Sequence, residues 1–158
     1  MANICETYLY LIGDKKEVEN VKNKFKNTLH SSDFYENEVE EFNNECIIKV
    51  NMFIKHSFKS SYRETYDDFN LKEISKKNPS VKILALTLEP GFEFSENFLM
   101  KNGKIYIDEV NKFVVDIDPD TDERFFEIIP DYFIEDEEEN FLYPDESYIT
   151  YKLEKITF

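Results

Sequence analysis

The run VKILALTLE, residues 81–89, constrains the fold of this chain more than any other feature, because it is apolar on both of its faces. A strand with one face in water alternates apolar and polar residues, whereas one in the middle of a sheet reads as a continuous apolar run. The run is therefore predicted to be a central strand. Everything else in the chain has to supply its neighbours and its cover.

The neighbours are legible on both sides. ETYLYLI, residues 6–12, alternates and is rich in β-formers, so it reads as a first strand, ended by Gly13. Asp14 as N-cap with Glu17 three residues on makes a capping box, and Val18, Val21, Phe25 and Leu29 form an apolar stripe at helical spacing. SSDFYENEVEEFNNE is polar and acidic and reads as a linker, with Val39 and Phe42 making a short helical turn at most. In CIIKVNMFIKHSF, Cys46, Ile48, Val50, Met52, Ile54 and Phe58 share one face of a long strand. A second helix, capped by Asp67 or Asp68, carries Phe69, Leu71 and Ile74 and stops at Pro79.

Beyond the central strand, EPG turns the chain into FEFSENFLM, and the Asn-Gly of KNGK is a strong hairpin signal before KIYIDEV. KFVVDI and RFFEII flank DPDTDE as a second hairpin, and SYITYKLEKITF reads as a terminal strand. The order β-α-β-α followed by an antiparallel meander predicts an α+β fold, with two helices on one face of an antiparallel-rich sheet and C-terminal hairpin additions. A single domain over residues 1–158 is expected.

A strongly acidic chain invites the reading of disorder, and composition excludes it. The formal net charge is -15, yet 41% of residues are hydrophobic and 16% aromatic, which a disordered acidic chain lacks. The charge is uneven: residues 108–158 hold 17 acids and 4 bases. That third repels nucleic acid and anionic membranes and attracts basic surfaces, over a screening length of about 8 Å at physiological salt. The expected partner is a basic protein, with no direct nucleic-acid or membrane partner. The opening MANICETYLYLIGDKK has no basic region leading into an apolar one, and no run approaches the ~18 apolar residues of a membrane span, so a cytoplasmic location is expected. Cys5 and Cys46 form no CxxC motif and are expected to be reduced and half-buried.

Two stretches carry a family resemblance. They are MANICETYLYLIG and FKSSYRETYDDFNLKEISKKNPSVKILALTLEPGFEFSENFLMKNGKIY. Their order of Asn-x-Cys before a strand and Gly, then a short helix, Asn-Pro, an apolar strand, EPGFEF and a Gly turn, resembles the YubB ferredoxin-like domain family of phage and plasmid proteins. The resemblance covers residues 1–107 and implies a ferredoxin-like core there, a mobile-element origin, and no catalytic residue. Ile4 and Tyr62 stand where the family commonly has Trp, and this chain contains none. Residues 108–158, read as acidic hairpins and a terminal strand, lie outside it.

No motif names a reaction. Asp116, Asp118, Asp120, Asp122 and Glu127 occupy positions 1, 3, 5, 7 and 12 of a calcium loop, but Thr121 stands where its sharp turn needs Gly. Pro119 and strand-like flanks favour a plain hairpin tip. His30 and His56 are isolated and read as structural. Three glycines cannot build a phosphate-cradling loop, and Ser, Cys and His show no nucleophile–base spacing. A pair such as Glu89 and Glu93 near a turn can share acid and base duties, but with 34 acids in the chain such pairs carry little information. No catalytic residue and no cofactor is assigned.

The remaining candidate is IPDYFIEDEEENFLYPDE, residues 129–146. Extended, its acids present about one charge per 3.3 Å, close to the ~3.4 Å phosphate spacing of one DNA strand. Asp131, Tyr132, Phe133, Glu135, Asp136, Glu137, Glu138, Glu139, Phe141, Tyr143, Asp145 and Glu146 form the predicted partner-binding surface, charge supplying steering and aromatics selectivity. Core packing of Phe133 and Phe141 is the competing account, and DYFIED buries either Tyr132 with Ile134 or Phe133. The expectation is a phage- or plasmid-encoded non-catalytic inhibitor or adaptor. Its target would be a basic host nucleic-acid-binding protein such as a defence nuclease complex, bound as DNA mimics and anti-CRISPR proteins bind theirs. A calcium-responsive module and a carboxylate hydrolase are the alternatives.

Overall fold

The computed structural model describes residues 4–27, 31–42, 44–55, 57–63, 69–89, 93–136 and 141–158. Its frame is a six-stranded sheet in the order β2-β3-β1-β4-β5-β6, antiparallel at every pairing. The strands are β1 (Ile4–Gly13), β2 (Ser31–Phe42), β3 (Glu45–Lys55), β4 (Lys82–Glu89), β5 (Phe94–Lys101) and β6 (Lys104–Lys112). The 81–89 run is β4, between β1 and β5, with Ile83, Ala85 and Thr87 on one face and Leu84, Leu86 and Leu88 on the other, all buried. Helices α1 (Lys15–Lys26) and α2 (Leu71–Lys77), with a π-helical turn at Lys59–Arg63, cover the first face. Two short hairpins, β7 (Val114–Ile117) with β8 (Arg124–Ile128) and β9 (Phe133–Asp136) with β10 (Phe141–Pro144), cover the second together with α3 (Glu146–Lys155).

The start of α1 is tied to the strand it must lie beside. Asp14 accepts from the backbone N–H groups of Lys16 at 3.1 Å and Glu17 at 3.2 Å, satisfying donors that the first turn leaves open. The Glu17 carboxylate accepts instead from Ser80, through both its backbone N–H and its hydroxyl, while the Asp14 N–H donates to Ser80 Oγ. The capping box closes through a residue 66 positions away. Gly13 makes this possible, since a Cβ there would lie 2.8 Å from the Ser80 carbonyl oxygen. At the Asn-Gly turn, Asn102 and Gly103 both adopt positive φ, 49° and 74°, the primed geometry that matches strand twist.

Three expectations are corrected. The acidic "linker" is β2, a twelve-residue edge strand paired along its length with β3. Register shifts between Ser31 and Asp33 and between Glu36 and Glu38 break the alternation that would have revealed it. Its acids suit an edge strand, where charge discourages pairing with another chain. The expected terminal strand is α3: Asp145 caps it by accepting from the Tyr148 N–H at 3.3 Å, and Ile149, Leu153 and Ile156 turn towards the sheet at helical spacing. Finally, α2 is capped by Asn70, which accepts from the Glu73 N–H at 3.1 Å, and Phe69 precedes it. Asp67, Asp68, Leu29, His30 and His56 lie outside the described residues. The boundary drawn at residue 107 falls inside β6, and the change of layer comes after Lys112.

Candidate partner-binding surface

Residues 113–158 carry 15 acids and 3 bases, a net -12 of the chain's -15. The described residues among them, which leave out Glu137, Glu138 and Glu139, carry 12 acids and 3 bases, and their elements lie on the second face of the sheet, so a net -9 resides in one layer. Among the described residues its apolar contacts are to β1, β4, β5 and β6.

Within it, β9 and β10 pair Phe133 with Pro144, Ile134 with Tyr143, Glu135 with Leu142 and Asp136 with Phe141. Alternation then turns Phe133, Leu142 and Pro144 to the sheet and Ile134, Phe141 and Tyr143 outward. Tyr132 and Phe133, expected at the partner surface, are instead 2% and 3% exposed. A hairpin this short holds to the sheet only by burying one face, and these two rings are what it buries. The Tyr132 hydroxyl lies 2.7 Å from Ser95 Oγ and accepts from Asn111 Nδ2 at 3.1 Å, and burial raises its pKa. Phe133 meets Tyr8 edge-on at 6.2 Å between centroids.

The other expected residues divide by position. Phe141 and Tyr143, 41% and 37% exposed with ring centroids 6.1 Å apart, present an aromatic pair to solvent. Asp131 is exposed, and Glu135 and Asp136 are half-buried. Glu137, Glu138 and Glu139 lie outside the described residues. Asp145 caps α3, and Glu146 pairs with Lys49 at 3.0 Å.

Lys49 was not anticipated as a site residue. It lies on β3 and holds Glu40 of β2 at 3.4 Å as well as Glu146 of α3. Acids from distant parts of the sequence thus meet on one side of the molecule. Between them runs a groove of about 470 Å³, lined by Tyr8, Tyr10, Lys49, Ile134, Tyr143 and Glu146, among others. It is a step: the floor is the open face of β1 and β3, the wall is β10 and the start of α3. Tyr8 is held in place by its hydroxyl, which donates to Glu6 at 2.9 Å; burial and then that carboxylate raise its pKa. The only sequence signal for the groove is the polar face of β3, which also fits an ordinary wet strand.

The calcium-loop acids build a turn. Asp118 Oδ1 accepts from the Asp120 N–H at 2.8 Å, Asp116 Oδ1 accepts from the Ile117 N–H at 2.9 Å, and Asp122 takes φ 58°. Glu127 falls at the bulge of the β7–β8 pairing, where Asp116 raises the Glu127 pKa, first by hydrogen bonding and then by its charge. Among the described residues no group of three or more His, Cys, Asp or Glu is placed to hold a metal ion.

The acid pair near the 89–93 turn is also drawn differently. Glu89 is buried, while Glu93 sits half-buried in the turn at φ 51°. Glu96 joins Glu89 on the first face and caps the π-helical turn, accepting from the N–H groups of Phe58 at 3.1 Å and Lys59 at 3.2 Å. Burial, then the charges of Glu89 and Glu96, push the Cys5 thiol up to about 12, so it is no nucleophile at neutral pH. Cys46 is likewise raised, first by burial. Both cysteines are free and buried, more deeply than the half-burial expected. No helix among the described residues is long and apolar enough to cross a membrane.

No family model, no curated protein and no solved structure matches this chain.

Proposed function

We propose that this protein is a non-catalytic inhibitor or adaptor that binds a basic nucleic-acid-binding protein through the acidic layer on the second face of its sheet. The observation that carries the reading is the packing of the described elements of residues 113–158, which hold 12 acids against 3 bases, a net -9, on a single face of the sheet. A surface of that kind displaces DNA from a basic groove by repeating its counterion release, and it accelerates encounter by steering. The exposed Phe141–Tyr143 pair supplies contact area that charge alone lacks.

A defence nuclease complex is the preferred target class, with the protein acting as a DNA mimic of the anti-CRISPR kind, carried by a phage or plasmid and working in the host cytoplasm. The ferredoxin-like description of residues 1–107 and the YubB likeness belong to this proposal. Helices α1 and α2 on one face of an antiparallel sheet support them, although β1 runs antiparallel to both of its neighbours.

The test is affinity capture from a bacterial lysate at low and high ionic strength, with duplex DNA as competitor. DNA-binding proteins retained at low salt, released at high salt and displaced by the duplex are the expected result. Recovery of no cationic partner at either salt overturns the proposal.

A further inference from the structure

We infer that the groove beside Lys49 seats an arginine side chain of the partner. The inference rests on the proposed function and assigns its point of selectivity. Three observations lead to it. First, the charge at the mouth is unbalanced. Lys49 is the one cation among the described lining residues, and its ammonium is already met by Glu40 at 3.4 Å and Glu146 at 3.0 Å. Asp145 adds a third carboxylate at the same mouth. The N-terminus of α3 offsets about half a charge, which leaves the mouth negative.

Second, the walls suit a flat cation. Tyr8 and Tyr143 line the groove with rings open to it, above the buried Tyr10, and a guanidinium stacks on such rings while its edge donates to carboxylates. Tyrosine already serves as an ammonium platform elsewhere in this molecule. Lys104 lies 5.0 Å from the centroid of Tyr106, Lys155 5.2 Å from Tyr151, and Lys152 5.5 Å from Tyr148. Third, the groove is open to a side chain delivered from outside, with Ile134 and Tyr143 on its rim at 37% exposure each. Its volume, about 470 Å³, accommodates an arginine together with its flanking residues.

Lysine fits less well. Its ammonium is more strongly hydrated and cannot stack and donate in a fork at once, so the groove should prefer arginine over lysine at equal charge. Carboxylates anywhere on the layer favour the guanidinium fork to some degree, but only the groove makes that preference depend on the Tyr143 ring, and this separates the inference from the reading it rests on.

The experiment uses the full chain with fluorescent oligo-arginine and oligo-lysine peptides of equal length. Binding is followed by anisotropy at several salt concentrations and mapped by amide shift perturbation. The expected result is salt-dependent binding of both peptides, tighter for arginine, with shifts at Tyr8, Tyr10 and residues 143–147. Tyr143→Ala should weaken arginine-peptide binding about 3- to 10-fold and reduce the preference, from the usual worth of a cation–π contact. Tyr143→Phe, which keeps the ring, should restore it. Tyr143 faces outward, and a melting curve on each variant shows that the fold is retained. Equal affinity for the two peptides, or loss-free binding in Tyr143→Ala with shifts elsewhere on the acidic layer, overturns the inference and leaves the proposed function standing. Binding of neither peptide overturns both.

Discussion

The two faces of the sheet are covered in opposite ways. The first is sealed by an aromatic cluster: Phe25, Tyr62 and Phe69 meet with centroids 5.0 to 5.2 Å apart, and Phe58 adds contacts to Tyr62 at 5.2 Å and Phe98 at 5.5 Å. Every one of these rings is buried. The second is covered by strands of four or five residues and one helix, around a centre of Leu84, Leu86, Leu99, Tyr132 and Ile149. Around that centre Tyr106, Val115, Phe126, Leu153 and Ile156 are only partly buried. Four-residue hairpins are not stable by themselves, and the described residues of this layer also hold net -9 against their own repulsion. The comparison teaches that stability and charge are kept apart. One face provides the fold and buries acids such as Glu96 where backbone N–H groups meet them, and the other carries exposed acids.

If so, substitutions on the two faces should fail differently. Phe25→Ala removes the ring at the centre of the first cluster and should cost about 3–5 kcal/mol. The loss should be global, read as one cooperative shift in urea unfolding by every probe. Survival of the C-terminal layer after the first face has melted would break the comparison.

Alkaline pH should act on both faces. Cys5 moves from 9.0 to about 12, and Tyr8, Tyr62 and Tyr132 are all raised, with burial the first cause in each. A raised folded pKa means that the native state keeps protons which the unfolded chain has lost. Stability from these groups is complete below pH 9.0, the unfolded value for Cys, and falls as pH climbs towards 12. Urea midpoints measured from neutral to alkaline pH should decline, and thiol reagents should reach Cys5 only on unfolding. A flat profile would refute this.

Tyr132→Phe should be smaller and local. It removes a hydroxyl from between Ser95 and Asn111 and should cost about 1–2 kcal/mol. Hydrogen exchange should quicken over residues 113–158 and stay unchanged in β1 and β3. Uniform acceleration would show that the two layers open as one. Smallest of all, Glu146→Gln breaks a pair in which Glu146 is 60% exposed, and should change stability by about 0–1 kcal/mol, read from the same urea curves. A larger loss would mean that Lys49 and Glu146 pin the layer to β3.

How far the sequence reached depends on whether a signal is local. The Asp14 cap, the 18–21–25 stripe, the Asn-Gly turn and the two-faced β4 were all legible, because each needs only its near neighbours. The bulges of β2 hide its alternation, and the β-branched Ile149, Thr150 and Ile156 favour a strand locally where the chain forms α3. The signal for α3 was present in Asp145 followed by Glu146, a cap and an acidic first turn, with Lys152 and Lys155 at its end. Of the surface expected over 131–146, the outward Phe141 and Tyr143 remain and Tyr132 and Phe133 do not, since alternation alone cannot say which side of a hairpin meets the sheet.

From its residues alone the chain determines that it has a core, that β4 lies inside it, and that its negative charge is concentrated after residue 108. Those are sums and periodicities, which survive in one dimension. Only the tertiary structure decided that the described elements after Lys112 pack on one face of the sheet, that Glu40 and Glu146 share Lys49, and that tyrosines from β1 and β10 enclose a groove. Each of those depends on which strands become neighbours, and pairing between distant segments is settled by the burial of whole faces rather than by any local pattern.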